Sequence, residues 1–218
     1  MSLNPKITDW SNKRVWIVGA STGIGAALAE KLHALGARVA LSARSEDKLA
    51  TLASRLGGAR ALALPLDITN VETIAAAEKQ LIANWDGYDL VVFMAGDYTA
   101  MRAWELDLKV ARQMVSINWE GFLNGLSIVI PRFMQQKAGG IALVSSVAGY
   151  RGLPKSLVYG PTKAALINLA ETLYIDLKEK GLDVYVICPG FVKTPMTEKN
   201  DFDMPFIITP EEAADEII

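Results

Sequence analysis

The chain has one cysteine, Cys188, and one histidine, His33. A single thiol cannot close an internal disulfide, so no covalent staple is expected and a reducing cytoplasm is the simplest setting. His33 falls in the middle of a helical pattern, with no cysteine or carboxylate at ligand spacing. A structural or surface role is expected for it, and no metal site. Charge of one sign is also lacking: 22 Lys and Arg stand against 24 Asp and Glu, a net charge of -2, with no block of like charges. Nucleic-acid binders carry a basic face or tail, and the sequence has neither. No apolar run approaches the roughly 18 residues of a membrane span. The longest apolar stretches, 90–96 and 141–144, suit buried strands. Residues 1–13 are polar and mixed and show no signal-peptide pattern.

What is present is apolar residue in quantity, 51% of 218 residues, enough for one domain with a sizeable core. Strand-like runs at 14–19, 38–42, 60–66, 88–95, 141–144 and 183–188 alternate with helical patterns. Those patterns lie at 23–35, 46–56, 107–136 and along one face from Leu166 to Leu177. Residues 69–72 suggest a capping box opening a further helix. Continuous apolar strands joined by helices imply a parallel sheet covered on both faces. The expected fold is α/β: a doubly wound, Rossmann-type parallel sheet in a single domain over residues 1–218. Thr209-Pro210-Glu211-Glu212 is a strong helix start, with a cap, a proline at the first position and a glutamate three residues on. The chain stops at Ile218 after about two turns. The natural protein is expected to continue, with the final strand missing here.

Gly19-Ala20-Ser21-Thr22-Gly23-Ile24-Gly25 follows the first strand and opens the first helix. Glycines there permit a sharp turn and close approach of backbone to a pyrophosphate, which rests on the helix N-terminus. The spacing is G-x-x-x-G-x-G. About 20 residues further on, NAD-selective sites place a carboxylate for the ribose 2′-hydroxyl. Here Ser42 and Ala43 are followed by Arg44, whose guanidinium suits a 2′-phosphate. NADP(H) is therefore favoured, with NAD(H) as the alternative; Glu46 and Asp47 are close enough in sequence to neutralise Arg44.

Tyr159 and Lys163 stand four residues apart, on one face of a helix start. A neighbouring cation favours the phenolate, so the pair suits proton transfer to or from an alcohol or ketone oxygen. Ser146 ends a strand thirteen residues before Tyr159.

With these residues the chain resembles the short-chain dehydrogenase/reductase family over nearly its whole length. The resemblance makes Gly19 to Gly25, with Ser21, Thr22 and Ile24, the cofactor turn. It makes Asn118, Ser146, Tyr159 and Lys163 the catalytic set. Asp67 is similar to the residue that contacts adenine, and Pro189, Gly190, Val192 and Thr194 to the segment that contacts the nicotinamide carboxamide. The implied roles follow. Tyr159 is the general acid in carbonyl reduction and the base in alcohol oxidation. Lys163 binds the nicotinamide ribose and lowers the Tyr159 pKa. Ser146 donates to the substrate oxygen. Asn118 holds a water linking Lys163 to solvent.

Two departures stand out. The family's N-N-A-G is Phe93-Met94-Ala95-Gly96 here, so Ala95 and Gly96 still allow close cofactor approach but the asparagine contacts are lost. Thr22 stands where NADP(H) users often carry a basic residue, which leaves the preference to Arg44. The expected substrate is a small carbonyl or alcohol, selected by residues at 97–104, 147–155 and 191–209. Trp104, Tyr98, Tyr150, Phe191, Phe202 and Phe206, with Met101 and Met196, line its pocket or pack as core and lid. A homodimer through the helices at 107–136 and 157–180 is expected. A non-catalytic dinucleotide sensor on the same fold is the other class of function in view.

Overall fold

Runs of β-branched and apolar residues form six strands: β1 (Arg14–Val18), β2 (Arg38–Ser42), β3 (Ala61–Ala63), β4 (Leu90–Phe93), β5 (Gly139–Val144) and β6 (Leu182–Ile187). Helices connect them: α1 (Gly23–Ala34), α2 (Glu46–Arg55), α3 (Val71–Trp85), α4 (Leu108–Val115), α5 (Gly121–Gln136) and α6 (Tyr159–Lys178), and α7 (Pro210–Ile217) ends the chain. This computed structural model describes residue 4 and residues 6–218. All strand pairs are parallel, in the order β3-β2-β1-β4-β5-β6. The expected doubly wound sheet is the one observed. Its order reverses between β1 and β4, which leaves a crevice at the carboxyl ends of those strands.

Strand alternation sends successive side chains to opposite faces. Trp16, Val91 and Phe93 face one helical layer, with Phe122, Leu126 and Phe133 of α5. Val15, Ile17 and Leu41 face the other, with Leu28 and Leu32 of α1. In the first layer Tyr88 stands edge-on to Trp16 at 5.5 Å and to Phe133 at 5.0 Å. Gly125 lets α5 approach β4, because a Cβ there would lie 2.2 Å from Phe93 Cε1.

Several local expectations shift. The third strand is shorter than 60–66. The helix at α3 starts one residue later than a Thr69 cap requires. Asn70 is its cap, accepting from the N–H groups of Glu72 and Thr73, while the Thr69 hydroxyl turns to Asp67. Asn closes this turn onto its own following amides, which outcompetes the capping box. The box at the last helix does form: Thr209 Oγ1 accepts from Glu212 N at 3.1 Å, and Glu212 Oε2 accepts from Thr209 N at 2.7 Å. Ala213 and Ala214 of α7 are buried, and Asp215 pairs with Lys31 of α1. That packing supplies the tertiary support so short a helix needs. The 107–136 stretch is continuous but not uniform. A π turn, Ser116–Glu120, joins α4 to α5.

Candidate active site

The crevice at the strand ends is a cleft of about 320 Å3. One wall is the turn from β1 into α1. Gly19 N and Ala20 N both donate to Ser42 O, at 2.7 and 3.0 Å, which ties the turn to the end of β2. Gly19 has φ +109°, and a Cβ there would meet Ala95 N at 2.6 Å. At Gly25 a Cβ would lie 2.2 Å from Gly19 O. Both positions therefore exclude any side chain. Thr22 is the N-cap of α1 and makes no side-chain cap hydrogen bond. The first N–H groups of α1 thus lack a side-chain acceptor, and no acidic residue occupies that turn. Such a terminus favours an anion. Ser21, Thr22 and Ile24 line the same wall.

At the outer end stand Ala43, exposed Arg44 and Ser45. Among the described residues Arg44 forms no ion pair with Glu46 or Asp47. Ser42, by contrast, is fully buried. Its hydroxyl accepts from Trp16 Nε1 at 2.8 Å and donates to Leu64 O at 2.7 Å. Asp67 reaches the cleft from the loop after β3, its Oδ1 accepting from the amide and hydroxyl of Thr69.

The opposite wall comes from β5 and α6. Ser146, Tyr159 and Lys163 line the cleft together with Ala95 and Gly96. Tyr159 is half-buried; Lys163 is 4% exposed. Burial pushes the Tyr159 phenol up to about 12, a hydrogen bond with Ser146 pulls the other way, and the nearby Tyr98 phenol adds to the rise. Burial also pushes Lys163 down to about 8. Its Nζ donates to Val144 O at 2.9 Å and sits 5.6 Å from the centre of the Tyr159 ring. Sequence spacing led to the expectation that Lys163 depresses the tyrosine. Burial sets the direction of the Tyr159 shift, and it also leaves Lys163 holding its proton less firmly.

Asn118 is not part of the cleft lining. It is fully buried in the π turn behind Gly96. Its Oδ1 accepts from Asp97 N and its Nδ2 donates to Asp97 O, both at 2.8 Å. The side-chain amide thus ties the π turn to the backbone after β4. A π turn within an α-helix is a frequent mark of a functional site.

Pro189, Gly190, Val192 and Thr194 close the cleft from above. Gly23, at φ +56°, touches this segment: a Cβ there would be 2.9 Å from Thr194 Cγ2. Thr197 was not singled out in the sequence. It also lines the cleft, and its Oγ1 donates to Val192 O at 2.6 Å and accepts from Thr194 N at 3.0 Å, fixing the loop. Only the recurrence of threonine three residues on hinted at it. Met94, in place of an asparagine, and Met196 line the cleft as well.

The aromatic pocket is smaller than expected. Trp104, Tyr150 and Phe206 point to solvent, at 78%, 67% and 97% exposure, and Met101 is buried. Arg102 covers the Trp104 ring at 5.4 Å. Tyr98 alone of the aromatic set meets the catalytic candidates, edge-on to Tyr159 at 5.1 Å. Phe191 and Phe202 pack on each other at 6.1 Å. His33 is half-buried on α1, its imidazole pKa held down first by burial and then by Arg60. Among the described residues no cluster of metal-ligating side chains forms, and no helix is long and apolar enough to cross a membrane.

Comparison with known proteins fits this geometry. Residues 13–204 match the model of the short chain dehydrogenase family. An uncharacterized oxidoreductase of Staphylococcus haemolyticus is 32% identical over 212 residues, covering 97% of this chain and 92% of that protein. An uncharacterized oxidoreductase of Myxococcus xanthus is 34% identical, covering 96% of this chain and 83% of that protein. The crystal structure of a 3-ketoacyl-(acyl-carrier-protein) reductase from Brucella melitensis, complexed with NADH, superposes with a TM-score of 0.89. It covers 95% of this chain and 90% of that one at 22% identity, a likeness of fold alone. With the family's pattern matched over nearly the whole chain, the protein belongs to the short-chain dehydrogenases, a family of oxidoreductases.

Proposed function

We propose that the protein is an NADP(H)-dependent oxidoreductase acting on a carbonyl or secondary alcohol, with Tyr159 as general acid and base. One observation carries the reading. The glycine turn, Ser146, Tyr159 and Lys163, found by independent patterns in the sequence, line one cleft. The residues fit a nicotinamide dinucleotide: the side-chain-free turn admits a pyrophosphate, and Arg44 is open to a 2′-phosphate. In this reading Asp67 meets the adenine, Lys163 the nicotinamide ribose, and Pro189, Gly190, Val192 and Thr194 the carboxamide. When bound, the dinucleotide supplies or accepts the hydride.

The chain's own residues manage the proton. A phenol near 12 stays protonated at neutral pH, so Tyr159 is poised to donate to a substrate oxygen. Ser146 steadies both that phenol and the substrate oxygen. In alcohol oxidation the Tyr159 phenolate takes the alcohol's proton, and until it does the Lys163 ammonium offsets its charge. Asn118 acts from behind, holding the Gly96–Asp97 backbone against the cleft. The whole chain, 1–218, serves as one unit carrying cofactor and substrate sites. Its working form is a cytoplasmic homodimer through α4–α5 and α6, where Leu123, Met134 and Ile175 face outward.

The test is NADPH oxidation against a panel of aldehydes and ketones, with Tyr159→Phe as the variant. Turnover should fall by about 10²–10⁴, the scale of a lost general acid, with NADPH binding retained. Near-normal turnover would remove Tyr159 from the chemistry. Tight NADPH binding with no turnover on any carbonyl or alcohol would favour a sensor.

A further inference from the structure

We propose that Ser145, the neighbour of Ser146, is a positioning residue that sets the height of Lys163 in the cleft; the proposal rests on the role given above to Lys163. Consecutive residues at the end of a strand point to opposite sides, and here the two serines divide the work. Ser146 turns to Tyr159. Ser145 is 3% exposed, and its Oγ donates to the backbone carbonyl of Lys163 at 2.7 Å. The preceding carbonyl, Val144 O, receives the ammonium of the same lysine at 2.9 Å. Residues 144 and 145 therefore grip Lys163 at both ends, backbone and Nζ.

The surroundings keep the grip rigid. Ser145 N donates to Ile187 O at 2.7 Å, so the residue is locked to β6. The Val147–Gly149 turn presses on the same stretch of α6: a Cβ at Gly149 would lie 2.9 Å from both C and O of Lys163. Beside it, Thr162 Oγ1 donates to Tyr159 O at 2.8 Å and accepts from Asn118 Nδ2 at 3.4 Å. The first turn of α6 is thus held from strand, turn and π turn. Among the described residues, only Ser145 bonds directly to the lysine's own main chain from outside the helix. Removing its hydroxyl leaves Lys163 O with its ordinary helical partner, so Ser145→Ala loses the grip without orphaning a buried acceptor.

Ser145→Ala, Ser145→Thr and Tyr159→Phe are compared in the complete chain. For Ser145→Ala we expect kcat to fall about tenfold, the scale of one hydrogen bond, with KM for the carbonyl within about twofold. The alkaline limb of the pH profile should move upward, because a loosened Lys163 reaches water and recovers its proton affinity. Ser145→Thr, which keeps a hydroxyl, should restore both. NADPH binding, read by fluorescence, gives a readout without turnover. Ser145→Ala should weaken it about tenfold in the parent and less than about twofold in a Lys163→Met background, since the effect runs through the lysine. A purely structural serine would lower the melting temperature and leave the pH limb in place. That result, or equal weakening in both backgrounds, overturns the proposal. If Tyr159→Phe keeps its turnover, the acid–base reading fails instead; if Tyr159→Phe is inactive and Ser145→Ala matches the parent, only the Ser145 role falls.

Discussion

The two walls of the cleft are built on opposite principles. The β1–α1 wall works through backbone: Gly19 and Gly25 leave no room for a Cβ, and the start of α1 has no side-chain cap. The β5–α6 wall works through side chains, with Ser146, Tyr159 and Lys163 set by hydrogen bonds that reach across the fold. The first wall should fail when atoms are added, the second when atoms are removed.

The largest expected effect on cofactor binding comes from adding one methyl to the backbone wall. Gly25→Ala drives a Cβ to 2.2 Å from Gly19 O, so the turn must open. Overpacking of roughly 3 kcal/mol weakens NADPH binding about 100-fold, measurable by fluorescence titration. Unchanged binding would break the contrast. Arg44→Ala probes the one place where the backbone wall also relies on a side chain. Loss of a charge-assisted contact should weaken NADPH binding about 10- to 30-fold and leave NADH untouched. Equal affinity for both dinucleotides in the parent would sink the 2′-phosphate assignment.

The side-chain wall is sharpened by pH. Burial lowers Lys163 to about 8, so its ammonium is present below that pH and lost above it. kcat/KM for carbonyl reduction should hold at neutral pH and then fall about tenfold per unit on the alkaline side. Lys163→Arg should carry the limb upward, whereas a flat profile to pH 10 would take the lysine out of the mechanism. The smallest effect lies outside both walls. Tyr88 donates to Glu78 Oε1 at 2.9 Å deep in the first helical layer. Tyr88→Phe should cost about 1–2 kcal/mol in a denaturant melt, with turnover and NADPH binding unaltered. A change in turnover would show that the core and the cleft are coupled.

The same contrast explains what could be seen in the sequence. A backbone wall writes itself locally: the glycines of residues 19–25 sit between a strand and a helix, and their spacing is visible. Ser146, Tyr159 and Lys163 were legible because one short stretch of chain carries all three. The bonds that support them were not. Ser145 meets Lys163 across 18 residues, and Asn118 meets Asp97 across 21. Nothing local in either partner marks such a bond. The π turn is invisible for a related reason, since the helical periodicity of 107–136 continues through it. Composition was misleading for the aromatic pocket. Large apolar side chains at 104, 150 and 206 look like lining, yet loop geometry turns them to solvent while Tyr98 stays in.

The buried hydroxyl of Ser42 limits how the nucleotide preference of such a protein is able to change. That one oxygen ties Trp16 of β1 and Ser42 of β2 to Leu64, the residue after β3. A carboxylate there would bring an unpaired charge into the core, at a large desolvation cost. Ala43, half-buried and facing the cleft, carries no such duty. On the proposed NADP(H) reading, a carboxylate for the ribose 2′-hydroxyl is better placed at residue 43, beside Arg44, than at residue 42.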